Sequence, residues 1–252
     1  MKKTAFKFFK FLSAFLLICF CAFLILDRLF PLNLEILNKP KSAILYDTNG
    51  KIVSMKIAKD DIWRFYANSD EIPQNLKQSV LFFEDRYFYR HFGVNFFSLL
   101  RAFTYNFTHN STQRLGASTI TMQVARIMNP KERTYGNKII EIFNAFQLEF
   151  HFSKDEILTM YFNLAPYGGN IEGVKTAAYF YFGKNLNELS IAQSALLSVI
   201  PKNPNKNRLD RISNIKSHKN RLINELFKGG VINKNEQTRA LNEPFQILAL
   251  LM

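Results

Sequence analysis

The feature that most constrains this chain is an uncharged, strongly apolar run over residues 11–26 close to its N-terminus. With Phe8 and Phe9 in front and residues 29–31 behind, the apolar length approaches the ~20 residues that a bilayer-spanning helix needs. Lys2, Lys3, Lys7 and Lys10 precede the run. A cluster of cations on that side holds the N-terminus in the cytoplasm and sends the rest of the chain outside. A cleaved signal peptide is the rival. No small-x-small site follows the run, and Asp27-Arg28-Leu29-Phe30-Pro31 is a poor substitute, so an uncleaved anchor is expected. Cys19 and Cys21 both lie inside the anchor, and no small residue stands just before Cys19. Neither a disulfide scaffold nor a lipoprotein attachment is therefore expected.

Roughly 220 residues remain beyond the anchor, enough for one large domain or one domain with a small appendage. With 48% hydrophobic and 21% charged residues, a packed core is expected and general disorder is not. Twenty-six Phe residues exceed what one core usually takes, so some should face lipid or an apolar groove. Net charge is +13, and removing the four N-terminal lysines (13 − 4) leaves +9 on the exported part. Outside the membrane nucleic acid is not the expected partner. Such a field favours anionic head groups or a diphosphate substrate, although a generically basic proteome gives the same charge.

Beyond the anchor, residues 43–46 and 52–55 flank Asp47-Thr48-Asn49-Gly50. Asn-Gly between two apolar runs predicts a β-hairpin near the membrane. From about Ile62 the pattern turns helical and stays so. Helices are expected over 75–83, 95–107, 118–128 (halted by Pro130) and 138–150, and a capping box at Ser153 and Glu156 should start one running through Asn163. Another should start at Ser190 and end at Pro201. Helix 95–107 carries Phe96, Phe97, Leu99, Leu100, Phe103 and Phe107, an apolar face suited either to a core or to dipping into a bilayer.

Glu84 and Asp85 stand at the end of the apolar stretch 80–83. A carboxylate against apolar walls has its charged form disfavoured, which makes it a more useful base; an ordinary helix end with solvated acids reads the same locally. In residues 116–123 a Gly is followed by Ser118, Thr119 and a helix start, a pattern that can cradle phosphate oxygens or serve as a plain N-cap. Gln123 and Arg126 lie three apart and share a helix face. Arg126, Arg133 and Lys138 follow closely, with Glu141 three beyond Lys138. They form either a cation set for a diphosphate or a solvated basic face.

Taken together, these segments resemble the peptidoglycan glycosyltransferases (glycosyltransferase family 51). Glu84, Asp85, Phe88, His91 and Gly93 match its E-D-x-x-F-x-x-H-x-G signature. Gly116, Ser118, Thr119 and Gln123 match G-x-S-T-x-x-x-Q, and Lys138 and Glu141 match R-K-x-x-E. Residues 153–163 resemble K-x-x-I-L-x-x-Y-L-N, and residues 181–184 and 195–197 its Y-F-G-K and A-L-L elements. The order is kept over about residues 60–205. Residues 165–174 look most like the branch called penicillin-binding protein 1C. One departure is plain: Asn137 stands where the family has Arg.

The resemblance implies a mainly α, lysozyme-like glycosyltransferase domain behind one N-terminal transmembrane helix, with a short β-hairpin near the membrane. It implies residues 1–10 as a cytoplasmic tail, 11–30 as the anchor, 31–60 as linker and hairpin, and 61–230 as the catalytic domain. Residues 231–252 would be a tail that fits the remnant of a transpeptidase domain; a naturally monofunctional chain and a truncated one both remain open. The implied substrates are lipid II and a growing glycan on undecaprenyl diphosphate, at the bacterial inner membrane, with other cell-wall synthesis proteins as further partners. Glu84 and Glu141 are the implied catalytic residues, and Asp85, His91, Ser118, Thr119, Gln123, Arg126, Arg133 and Lys138 the substrate-binding ones. No cofactor and no protein-bound metal are required, with Mg or Mn as a stimulant. A lysozyme-like enzyme that cleaves peptidoglycan is one rival, and a scaffold with little or no catalysis is another.

Overall fold

The structure, a computed structural model, describes residues 2–49, 52–109, 116–201 and 212–244. Helix α1 (Lys2–Leu29) contains a 21-residue stretch, Phe9–Leu29, long and apolar enough to cross a membrane. Strands β1 (Ala43–Tyr46) and β2 (Ile52–Lys56) then pair antiparallel, Ala43 opposite Lys56 and Ile44 opposite Met55. This is the expected hairpin. Asp47 opens its turn by accepting the Asn49 N–H at 2.8 Å. The expected Gly50 of the turn lies outside the described residues, as do 245–252 of the C-terminal tail.

The helices that follow are α2 (Gln74–Glu84), α3 (Phe96–Thr108), α4 (Ile120–Met128), α5 (Tyr135–His151) and α6 (Lys154–Leu164). Each of the last four begins where a side chain caps it. Asn95, Thr119, Thr134 and Ser153 accept N–H bonds from residues three further on. The capping box at Ser153 and Glu156 is present as expected. Helix α5 starts three residues earlier than its apolar pattern indicated, because Thr134 supplies the cap.

Helices α7 (Val174–Phe182), α8 (Ile191–Val199), α9 (Ile212–Lys228) and α10 (Lys234–Asn242) complete the body. Ser190 and Gln193 form the box that opens α8. The pattern beyond Ile62 is not wholly helical, however. Short strands β3 (Trp63–Arg64), β4 (Pro166–Gly168) and β5 (Ile171–Glu172) form a sheet in the order β3-β5-β4, with β3 parallel to β5. Two-residue strands carry no readable periodicity. Long-range chemistry holds this sheet: Glu172 takes Arg64 Nε at 2.6 Å and Lys39 Nζ at 3.0 Å.

Helix α4 is the centre of the body. Residues 120–125 and Met128 are all buried, which a helix tolerates only when other elements enclose it. It packs against α5 and α6, while α2 packs against α8 and α9. The segment between α2 and α3 crosses α5 at Gly93, whose φ is +75°. A β-carbon there would stand 2.9 Å from the Ala145 carbonyl oxygen. Only glycine satisfies both the backbone angle and the close approach. Gly93→Ala should therefore destabilise the fold by about 1–3 kcal/mol, seen as a lowered Tm by calorimetry.

Candidate active site

Two adjacent acids meet different surroundings at the end of α2. Glu84 is the last helical residue, and at Asp85 the chain leaves the helix with φ −158° and ψ 79°. The Asp85 carboxylate is buried. It accepts the Ile120 N–H at 3.1 Å and meets His91 Nε2 at 3.0 Å from both oxygens. A negative group thus fills the positive end of α4. Thr119, the N-cap, accepts the Met122 N–H at 3.1 Å and donates its hydroxyl to the Gly93 carbonyl at 2.5 Å. Residues 85–93 are tied at both ends to the first turn of α4.

The N-terminus of α4, read from sequence as a cradle for phosphate, is therefore occupied by this chain's own carboxylate and cap. The Thr119 hydroxyl is buried and engaged. Ser118 is the hydroxyl that faces the cations: its Oγ accepts from Lys138 Nζ at 2.9 Å, and the same Nζ donates to Glu141 Oε1 at 2.6 Å.

Glu84 is bound from α4 as well. Gln123 Nε2 donates to Glu84 Oε2 at 2.7 Å. Arg126 lies three residues beyond Gln123 and about 4.5 Å further along the helix. There it lines a cavity of 340 Å³ that Ser118, Arg133, Lys138 and Glu141 also line. Five of the ten expected site residues thus share one cavity. Gln123 links it to Glu84, while Asp85, His91 and Thr119 brace the segment behind.

Two features of this cavity were not read from the sequence. Lys131 lines it too, on the loop between α4 and α5. Asn137, standing where the family has Arg, donates Nδ2 to the Glu132 carbonyl at 2.9 Å and its N–H to Thr134 Oγ1 at 3.1 Å. It pins the loop that carries Lys131 and Arg133 to the first turn of α5. The neighbouring signal Lys131-Glu132-Arg133 was present in the sequence, but only the fold shows that both cations reach one side.

A cluster of tyrosines lies behind Glu84. The Tyr161 and Tyr167 hydroxyls are buried without a hydrogen-bond partner among the described residues. Burial pushes the Tyr161 phenol far above its ordinary range, and the nearby Glu84 charge adds to this. Burial does the same at Tyr167, helped by Tyr181 and Glu84. Burial also raises Tyr181 to about 12; its hydroxyl donates to the Tyr167 carbonyl at 2.6 Å. Among the described residues no three His, Cys, Asp or Glu side chains converge as a metal cage would require.

A family model described as transglycosylase matches residues 49–227. Among curated proteins, penicillin-binding protein 1C of Escherichia coli (strain K12) is 35% identical over 219 residues, which is 86% of this chain and 28% of that protein. This agrees with the branch indicated by residues 165–174. Penicillin-binding protein 4 of Bacillus subtilis (strain 168) is 33% identical over 226 residues, 88% of this chain and 36% of its own. The chain thus spans about a third of the length of these curated relatives. A solved structure, penicillin-binding protein 1A from Haemophilus influenzae, aligns with 83% of this chain and 21% of its own at a TM-score of 0.45 and 20% identity.

The tyrosines predict an alkaline limit. Their folded values lie above the unfolded one, so their contribution to stability is complete below pH ~10 and is lost as pH rises through the folded values. For Tyr181 that window runs from about 10 to about 12. Phenolate absorbance and circular dichroism should change together there, and Tyr161→Phe, which deletes a hydroxyl without a partner, should leave Tm unchanged or slightly raised.

Proposed function

This chain belongs to the transglycosylase family, and from that membership we propose that it is a membrane-anchored peptidoglycan glycosyltransferase. It polymerises lipid II into β-1,4 glycan strands with inversion and releases undecaprenyl diphosphate. The observation that carries this reading is Glu84, held by Gln123 one helical turn from the cation-lined cavity. The reaction needs a base and a stabilised anionic leaving group at the same time.

Glu84 takes the proton of the acceptor sugar's 4-hydroxyl as that oxygen attacks the donor's anomeric carbon. The bond from that carbon to the diphosphate oxygen breaks on the opposite face. Arg126, Arg133 and Lys138, with Lys131 beside them, offset the charge that gathers on the departing diphosphate. Glu141 orients the Lys138 ammonium, and Ser118 presents its hydroxyl to the same group. Asp85, His91 and Thr119 act by holding the segment that follows Glu84. A divalent ion such as Mg or Mn would depend mostly on the diphosphate's own oxygens, since the Glu141 carboxylate already engages Lys138.

The membrane supplies the substrate's lipid tail. On α3, Phe97 is 89% and Phe107 82% exposed, and Phe96, Leu100 and Phe103 are exposed beside them. That face lies next to a cavity lined by Arg90, His91 and Arg101, and we read it as dipping into the bilayer so that the polyprenyl chain can enter. α1 spans the inner membrane with its N-terminus in the cytoplasm. The catalytic domain, residues 61–230, stands outside. A lytic enzyme would share a single essential Glu but has no need of a cation cavity or a membrane-facing helix.

The test is incubation of the purified chain with labelled lipid II. Wild type should form polymer and Glu84→Gln should lose about 10²–10⁴-fold in rate. Polymer from Glu84→Gln at the wild-type rate would refute the role of Glu84. Phe97→Ser with Leu100→Ser should weaken flotation of the chain's soluble portion, residues 31–252, with liposomes; unchanged flotation removes the membrane role of α3.

A further inference from the structure

An ionisable side chain at the end of a membrane span carries a cost and calls for a partner. Asp27 lies in the last turn of α1, where the helix dipole also disfavours a negative charge. Its partners come from α5, far away in sequence. Gln147 Nε2 donates to Asp27 Oδ1 at 2.8 Å and to the Phe30 carbonyl at 2.9 Å, and His151 Nε2 stands 3.0 Å from Asp27 Oδ2. Gln147 is fully buried. One turn inward, the Phe23 ring meets Phe143 and Phe150 edge-on at 5.9 and 5.5 Å. Helix α1 is therefore docked on the catalytic body by a polar clamp and an aromatic contact together.

The same α5 carries the cation cavity at its other end. Gln147 lies six residues from Glu141, roughly 9 Å along a continuous helix. Phe146, next to the clamp, stacks on Phe92 and Phe96 at 6.4 and 6.5 Å, which joins α3 to the same rod. One rigid helix thus sets the distance between the outer end of the membrane span, the membrane-facing helix and the side chains that would meet the diphosphate.

We propose that Asp27, Gln147 and His151 are positioning residues that fix the height and tilt of the catalytic body on the bilayer, so that the cation cavity meets a lipid-linked diphosphate at head-group depth. This rests on the polymerase reading for its consequence, though not for its geometry. A tether without the clamp would let the body swing, and only part of the encounters with a membrane-held substrate would be productive.

The experiment uses the full chain. Asp27→Leu and Gln147→Leu should lower polymerisation of lipid II in phosphatidylethanolamine–phosphatidylglycerol vesicles by about tenfold, as misplacement of reacting groups does, while activity in detergent micelles stays within about twofold. Asp27→Asn, which keeps an acceptor oxygen for Gln147, should retain most of the vesicle activity. Equal losses in vesicles and micelles would reduce the clamp to a folding contact, and no loss in either would remove it; both overturn the proposal. A second measurement is independent of catalysis. With Cys21→Ser and Ile139→Cys, nitroxides on Cys19 and position 139 should give one narrow distance in the parent chain and a broad distribution in the Leu variants. A narrow distance in the variants overturns the proposal. If the parent makes no polymer in either medium, the polymerase reading fails while the spin-label distances still decide the clamp.

Discussion

The buried Asp85 carboxylate is the interaction on which the site depends. It satisfies the first N–H of α4 and holds His91, and through that ring it shapes the turn by which the chain leaves α2. Removing it would leave buried donors without partners, at about 1–3 kcal/mol each. More than stability is at stake, because Glu84 is the preceding residue. The geometry of the proposed base is set by the fold of its neighbour, and the Gln123 bond from the same helix completes the hold.

Helix α4 then serves as the ruler of the site. Its first turn receives Asp85 and Thr119, its second presents Gln123 to Glu84, and Arg126 reaches the cation cavity. Because residues 120–125 and Met128 of the helix are buried, these offsets cannot relax independently. Helix α5 does the equivalent work for the membrane side. Lys138 and Glu141 face the cavity while Gln147 and His151 grip the anchor. A substrate that spans lipid and water would need the two ends of such a rod in register.

The departure at Asn137 has a structural use in this chain. A cation is missing from the helix, but the amide that replaces it ties down a loop bearing two others. On the proposed reading, a diphosphate would meet cations held by the loop as well as by the helix. The residue that looks weakest in the motif is structurally engaged on this account.

What the sequence determined by itself was local. The caps at Ser153 and Ser190 act over three residues, the hairpin pairs near neighbours, and an apolar run long enough to span a bilayer needs no partner to be recognised. The ordered motif residues were legible for the same reason, as short patterns of fixed spacing. What only tertiary structure decided involves contacts across the chain. Asp85 meets Ile120 over 35 residues, Glu84 meets Gln123 over 39, and Asp27 meets Gln147 over 120. The resemblance gave the two adjacent carboxylates different roles, but only those contacts gave them different surroundings. The parallel pairing of β3 with β5 and the burial of Tyr161 beside Glu84 belong to the same class. Hydrogen bonds and burial at such separations depend on how whole helices pack, and no local spacing encodes that.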